Sequence, residues 1–305
     1  DRLIESVDNG RFAENMPGML RPLERLVPEG AGVDHAQVVE GEVAHRPGHR
    51  PDVPFMFWLD QNDPEIAHAL GTINRPVLLN PDVVWRAAVK LAYDGRAFMG
   101  SQRQPGERTV ESELIAALLE VKAFGSVAAS RFRFASRTDR GVSALGNVAA
   151  FDTNFPRTEL LSAVNSAVED LYVYGVADVP SAFSPRRAKG RWYRYVLPAG
   201  DLDVTKVIEC GDALQGRHDF RRFCKPDGRS TIKTMESVTV REEKGMLIID
   251  IRGREFLRNM VRRMVAAMIK AGEGRASVEE VRSALDGRDV SFGLAPAENL
   301  TLMDV

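Results

Sequence analysis

From residue 86 onward the chain switches repeatedly between two hydrophobic periods, and this switching limits the fold more than any other property. "RAAVKLAYDG" (86–95) reads as a strand that stops at Asp94-Gly95, a strong turn signal. "TVESELIAALLEVKAF" (109–124) opens on Thr109, with Glu111 and Glu113 in its first turn. Its apolar residues at 114, 115, 118, 119 and 121 follow a helical period. "RFRFASR" (131–137) is a strand with Phe132 and Phe134 facing inward, and "GNVAAFDT" (146–153) is another. A helix at 158–169 and strands at 171–179 and 191–200 follow. "VTKVIECGDALQG" (204–216) is a helix ended by Gly216. Residues 231–256 form a hairpin turning at Lys244-Gly245, 256–272 a long helix, 277–287 a capped helix and 298–305 a closing strand. Strands and helices alternate with hairpins among them, which predicts an α+β fold. Its sheet is mixed or antiparallel, with helices on one face. Two rounds of strand, helix and strand point to a duplicated unit, although no repeat shows in the residues themselves.

The chain before residue 86 reads differently. "EGAGVDHAQVVEGEVAHRPGHRPDVP" (29–54) is rich in Gly, Pro and His and reads as loop or linker. Short helices are expected near 17–26 and 63–70, and "VPFMFWL" (53–59) as one strand or a docking segment. Residues 1–85 carry seven Arg and no Lys against fourteen acidic residues, a net of −7; the remainder carries 34 basic against 29 acidic residues, a net of +5. This contrast divides the 305 residues into an acidic segment, 1–85, and a basic body, 86–305, the latter splitting at 86–180 and 181–305. A basic body favours a polyanionic partner. His35, His45, His49 and His68 are irregularly spaced and read as solvated loop residues, so no metal site is expected. Cys210 and Cys224 form no CxxC pair and are expected to be inert, in a reducing, cytoplasmic compartment. No apolar run approaches the roughly 18 residues of a membrane helix. The start, Asp1-Arg2-Leu3, lacks both a signal-peptide pattern and an initiator Met and reads as trimmed.

One motif asks for chemistry. In "FASRTDRGVSALGNVAAF" (134–151), Asp139 stands between Arg137 and Arg140, and Gly141 permits a sharp turn. Nearby cations keep a carboxylate ionised, and a held carboxylate can act as nucleophile or base. The competing reading is a salt-bridged surface turn, and in isolation it is the favoured one. Other features read blandly when taken alone. "RWYRYV" (191–196) is then an amphipathic strand, and Arg258, Arg262 and Arg263 are a solvated stripe on the 256–272 helix. Met260, Val261, Met264, Val265 and Met268 are that helix's buried side. His218-Asp219 is structural, with Phe220 and Phe223 packing inward, and "GEGR" (272–275) is a helix stop. Basic segments at 101–108, 184–191 and 216–225 suit phosphate contacts.

Taken together, the segments change the balance. "ASRTDRGVSA" resembles the signature of the tRNA pseudouridine synthases of the TruA family, in its archaeal wording. "VKLAYDGRAFMGSQRQ", "FSPRRAKGRWYRYV", "LQGRHDFRRFCK", "FLRNMVRRMVAAMIKAGEG" and "LAPAENLTLMDV" resemble further family segments in the family's order, over nearly all of 86–305. The resemblance implies the pseudouridine synthase fold, two ferredoxin-like halves around a central cleft. It implies that Asp139 is the catalytic aspartate, acting as nucleophile or base on a flipped uridine of the anticodon stem-loop, at positions 38–40. It places Arg137 near the uridine and the aspartate, Tyr193 in a stack on the base, and Arg262 as the aspartate's partner. Arg186 or Arg187 takes the role of the loop arginine, the loop before Tyr193 being one residue shorter than in common bacterial members. It implies tRNA as partner, a homodimer whose subunits share the substrate, and no cofactor, since the reaction is an isomerisation. Base flipping and stacking worth about 1–3 kcal/mol fit this picture.

Arg140 departs from the alanine common in the family, and electrostatic tuning, a phosphate contact and a solvated turn position all stay open for it. Residues 1–85 match no family segment; their acidity suits a cover over a basic cleft better than an RNA contact. The rival functions are a non-catalytic RNA-binding module that keeps the fold, and a structural scaffold with incidental basic charge.

Overall fold

The structure, a computed structural model, describes residues 3–6 and 84–305. The expected helices near 17–26 and 63–70, the 53–59 run and the four early histidines lie outside the described residues. β2 (Trp85–Tyr93) is buried on both faces and bonded on both edges, to β4 (Ser143–Thr153) and β5 (Leu171–Val179), which makes it a central strand. Between β2 and β4 come α1 (Val110–Glu120) and the short β3 (Arg133–Phe134). The Thr109 hydroxyl accepts from the Ser112 N–H, and the Ser112 hydroxyl accepts from the Thr109 N–H, which caps α1 at both orphan donors. α2 (Arg157–Ser166) joins β4 to β5. The second half holds β6 (Arg191–Pro198), α3 (Val204–Leu214), β7 (Gly216–Asp219), β8 (Ile232–Glu243), β9 (Met246–Gly253), α4 (Met260–Gly272), α5 (Val278–Leu285) and β10 (Leu300–Asp304).

The described strands form one sheet in the order β1-β5-β2-β4-β10-β6-β9-β8-β7, where β1 is Leu3–Ser6 and β3 pairs beside β4. Each half runs strand, helix, strand, strand, helix, strand: β2, α1, β3, β4, α2, β5, and then β6, α3, β8, β9, α4, β10. Both halves place these strands in the same spatial order, fourth, first, third, second: β5-β2-β4-β3 and β10-β6-β9-β8. The two ferredoxin-like halves implied by the resemblance are therefore present. Among the described strands, β4 and β10 form the parallel pair that welds the halves, through Thr301↔Ser143 and Leu302↔Ala144.

This weld creates a fork. β3 pairs with the far part of β4, at Ala149 and Ala150, while β10 pairs with its beginning on the same side. Residues 135–142 occupy the gap between the two partners.

Several element boundaries differ from the sequence reading, and three of the differences have a local cause. The long helix starts at Met260 rather than 256, because Asn259 adopts a left-handed conformation (φ 63°) that asparagine tolerates better than most residues. Arg258 therefore lies outside the helix, and Arg262 and Arg263 lie on it. α3 ends at Leu214, Gln215 turns to an extended conformation, and Gly216 opens β7 instead of closing a helix. The 131–137 strand shrinks to two residues because Arg131 is left-handed (φ 49°) and the backbone beyond Ala135 bonds to side chains. The predicted inward residues hold: Phe132, Phe134, Met260, Val261, Met264, Val265 and Met268 are all buried. Packing of α3 against α4 and β8 closes the core of the second half. β1 was not anticipated: Leu3 and Ile4 pair with Ala177 and Val176, so the acidic segment begins on the sheet's edge.

Candidate active site

Asp139 sits on a turn whose underside is fully bonded. The turn closes through the Val142 N–H to the Asp139 carbonyl at 3.1 Å, and the Gly141 N–H donates to the Gly95 carbonyl at 3.2 Å. Gly141 takes φ +83°, and a Cβ there would stand 3.2 Å from the Ala297 Cβ, so glycine is required twice over. Side chains alternate along the loop. Ser136 and Thr138 point in and are buried, while Arg137 and Arg140 point out.

The inward residues meet a polar network. Thr138 Oγ1 shares a hydrogen bond with the Tyr93 hydroxyl at 2.8 Å, and its N–H donates to Ser101 Oγ at 2.8 Å. Asn147, fully buried in the gap of the fork, accepts from the Ser136 N–H and donates to the Ser136 carbonyl and the Tyr93 hydroxyl. Each buried polar group thus finds a partner, which makes the loop rigid rather than costly. Burial pushes the Tyr93 hydroxyl up to about 12, against the lowering effect of its bonds to Thr138 and Asn147.

Arg191 was missed by sequence reasoning. Its Nε donates to Ser136 Oγ at 2.8 Å, and Nη2 to the Ala135 carbonyl at 3.3 Å and the Arg186 carbonyl at 3.4 Å. Its Nη1 donates to the Arg254 carbonyl at 2.5 Å. One guanidinium thus ties the Asp139 loop to two segments of the other half; burial lowers its pKa. The signal was present: Arg191, Tyr193 and Tyr195 share one face of β6 by the period of two.

The predicted site residues fall into three groups. Arg262 reaches Asp139, with Nη1 3.7 Å from Oδ2, while its Nε donates to the Ala295 carbonyl at 2.7 Å. The backbone bond fixes the guanidinium and leaves its tip facing the carboxylate. Asp139 is about one third exposed and Arg262 less so, 31% and 15% for the side chains. Tyr193 approaches from β6. Its ring lies 5.1 Å from that of Phe256, edge to face, and only 6% of the residue is exposed. Burial holds its hydroxyl well above the usual tyrosine value, and the nearby charges of Tyr93 and Asp139 add to the effect.

Arg137, Arg140 and Arg186 are exposed. Arg137, which the resemblance places near the aspartate, turns its guanidinium to Gln102 Oε1 at 3.3 Å and to Asp227 Oδ2 at 3.9 Å, and the ion pair with Asp139 is made by Arg262. Arg140 and Arg186 have no ion-pair partner within 4.0 Å among the described residues.

The basic segments divide in the same way. Arg103, Arg108, Arg221 and Arg222 are committed to Glu111, Glu113, Asp219 and Asp289 respectively. Arg187 and Lys189 project beside Arg186 into solvent. His218 is held by the Gln215 carbonyl at 2.7 Å and stands edge-on to Phe220, as a structural residue would. Cys210 and Cys224 are buried, and burial pushes the Cys210 thiol up to about 12. Among the described residues, no group of three or more His, Cys, Asp or Glu is arranged to hold a metal ion. No helix among them is long and apolar enough to cross a membrane.

Comparison with known proteins finds clear relatives. A family model described as tRNA pseudouridine synthase matches residues 212–305. The tRNA pseudouridine synthase A of Pyrococcus abyssi is 43% identical over 224 residues, covering 72% of this chain and 84% of the relative. That of Pyrococcus horikoshii is 42% identical with the same coverage, and that of Methanosarcina mazei 40% identical over 225 residues, again at 72% and 84%.

Proposed function

Because the chain belongs to the tRNA pseudouridine synthase A family, we propose that it converts uridine to pseudouridine in the anticodon stem-loop of tRNA, at positions 38–40, with Asp139 as the reacting carboxylate. The observation that carries this reading is the Asp139–Arg262 pair, set on a turn whose inward side chains are fully bonded. Such a carboxylate is partly open to a substrate yet cannot swing away.

In the reaction the C1′–N1 bond breaks, the base turns, and C5 bonds to C1′. The C5 proton leaves and N1 gains one, so the composition of the base is unchanged and no electrons are exchanged. Asp139 attacks or deprotonates, and Arg262 holds its charge and direction. The base must leave its stack to reach the loop. Tyr193 receives it, with the half-buried Phe256 moving aside to open the ring face. Arg137, Arg140 and Arg186 contact the phosphates around the flipped nucleotide.

The division at residue 85 belongs to the same proposal: the acidic segment covers the basic body, and its removal tightens tRNA binding. Unchanged affinity after deletion contradicts that role. The active form is a cytoplasmic homodimer, checked by a solution mass near twice the 33.7 kDa of one chain; a monomer that is fully active contradicts it.

The reading is tested by incubating purified protein with unmodified tRNA transcripts and mapping pseudouridine. Product at positions 38–40 is expected. Product elsewhere overturns the anticodon placement alone, and no product overturns the function.

A further inference from the structure

We propose that Asp227 is an internal competitor of the RNA backbone for Arg137, and so sets how tightly, and over what salt range, the chain holds its substrate. This rests on the reading of tRNA as substrate. Asp227 belongs to the second half, in the segment between β7 and β8, whereas Arg137 belongs to the Asp139 loop of the first half. Arg229 clamps the carboxylate: its Nε lies 3.0 Å from each oxygen and its Nη2 2.7 Å from Oδ2. Arg137 Nη2 lies 3.9 Å from the same Oδ2. The carboxylate therefore stands between two guanidinium groups, one from each half, and the first-half group, Arg137, is two residues from Asp139.

Similar clamps occur elsewhere, at Asp94–Arg96 and Asp219–Arg221, each between residues two apart. Among the described residues neither carboxylate is paired with a second arginine, so a local clamp alone does not account for the reach of Asp227 to the Asp139 loop. The surroundings do not hold it there either. Residues 225–230 are all exposed, and the Arg137 side chain is more than half exposed. Hydrogen bonds from Arg229 hold the Asp227 carboxyl below the usual range, so it is charged at neutral pH.

A phosphate diester offers a guanidinium the same charge and a fork of oxygens like that of a carboxylate. Asp227 therefore occupies the side of Arg137 that faces Arg229 and repels a phosphate approaching it. An RNA strand must displace this carboxylate, whereas a chain without it meets Arg137 unpaired.

The test measures tRNA binding by the full chain across salt concentrations. Asp227→Asn is expected to tighten binding about two- to fivefold at low salt, the scale of one exposed ion pair. The advantage shrinks as salt rises, because salt screens the exposed Asp227–Arg137 pair that the RNA must displace in the wild type. KM for tRNA falls in parallel. The double variant Asp227→Asn/Arg229→Gln keeps the wild-type net charge and still releases Arg137, so it too binds more tightly than wild type. Melting temperatures of both variants stay near wild type, since the segment is exposed. A double variant that binds no more tightly than wild type overturns the proposal and assigns any gain of the single variant to net charge. A single variant that binds equally or more weakly overturns it outright. Pseudouridine formation by the wild type is scored separately: its absence sinks the function, while the binding ratios alone decide the role of Asp227.

Discussion

The two halves share one strand order but join their second and third strands in opposite ways. In the second half β8 meets β9 at a two-residue turn, Lys244 and Gly245, with φ of 52° and 74°. That left-handed pair is what a tight hairpin turn requires, and the twelve residues of β8 then cover β9 along its length. In the first half the equivalent connection is the loop 135–142, and β3 offers β4 only two residues. The uncovered edge of β4 accommodates both the loop and β10. The candidate catalytic carboxylate thus stands where a duplicated plan departs from itself, and the departure makes room for it.

What the halves keep in common sharpens the contrast. In both, the first strand carries an arginine directly opposite an aspartate of the third: Arg86↔Asp152 and Arg194↔Asp250. Arg86 Nη1 lies 2.7 Å from Asp152, which Arg131 also contacts. Asp250 accepts from Trp192, Arg194 and Arg241, and it alternates with the inward Ile249 and Ile251, on the opposite face of β9. The repeat is structural there and broken at the Asp139 loop.

The largest effect expected from breaking the contrast is at the site itself. Arg262→Gln removes the second-half cation that faces the first-half loop and should lower kcat/KM about 10²-fold, with tRNA affinity changed far less. A loss of affinity equal to the loss of kcat/KM would make Arg262 a mere RNA contact. Next come the shared pairs. Asp250→Asn should cost about 2–3 kcal/mol of stability and Asp152→Asn about 1–2, because Asp250 accepts more hydrogen bonds and is less exposed. Burial raises the pKa of both carboxyls, but their arginine partners outweigh it and hold both below the usual range. The stabilisation is therefore complete above the unfolded carboxylate pKa and is lost as pH falls through the lower folded value. Denaturant melts should show a constant deficit of each variant from pH 7 to 5 that narrows below about pH 4. A deficit that instead grows in acid contradicts the pairing.

The smallest effect separates the two connections. Gly245→Ala meets no atom within 4 Å and should cost only the left-handed penalty, about 1–2 kcal/mol, with activity intact. Gly141→Ala carries the same penalty, meets Ala297 as well, and should lower kcat with Asp139 displaced. Equal activity in the two variants would mean that the loop tolerates movement.

How much of this was legible follows from the range of each interaction. Strand 171–179 and the Lys244-Gly245 hairpin were readable because their signals are local. Asp139, Tyr193 and Arg262 were singled out through resemblance, and the structure brings Arg262 to Asp139. The repeated strand order was legible only through the resemblance, because pairing between distant strands leaves no mark at either strand. The contact of Arg137 with Asp227 was not readable for a related reason: the two residues lie far apart in the chain, in different halves. The start of α4 failed on one residue, Asn259, whose left-handed turn has no sequence signal distinct from an ordinary helical asparagine.

The central claim is that Asp139 does chemistry and is not merely a salt-bridged turn. Asp139→Ala, compared with wild type on the same tRNA, tests it most directly, reading pseudouridine yield and tRNA affinity together. The expected result is a loss of product of about 10⁴-fold or more, with affinity within a few-fold of wild type. Product formed by Asp139→Ala at a rate near wild type would contradict it.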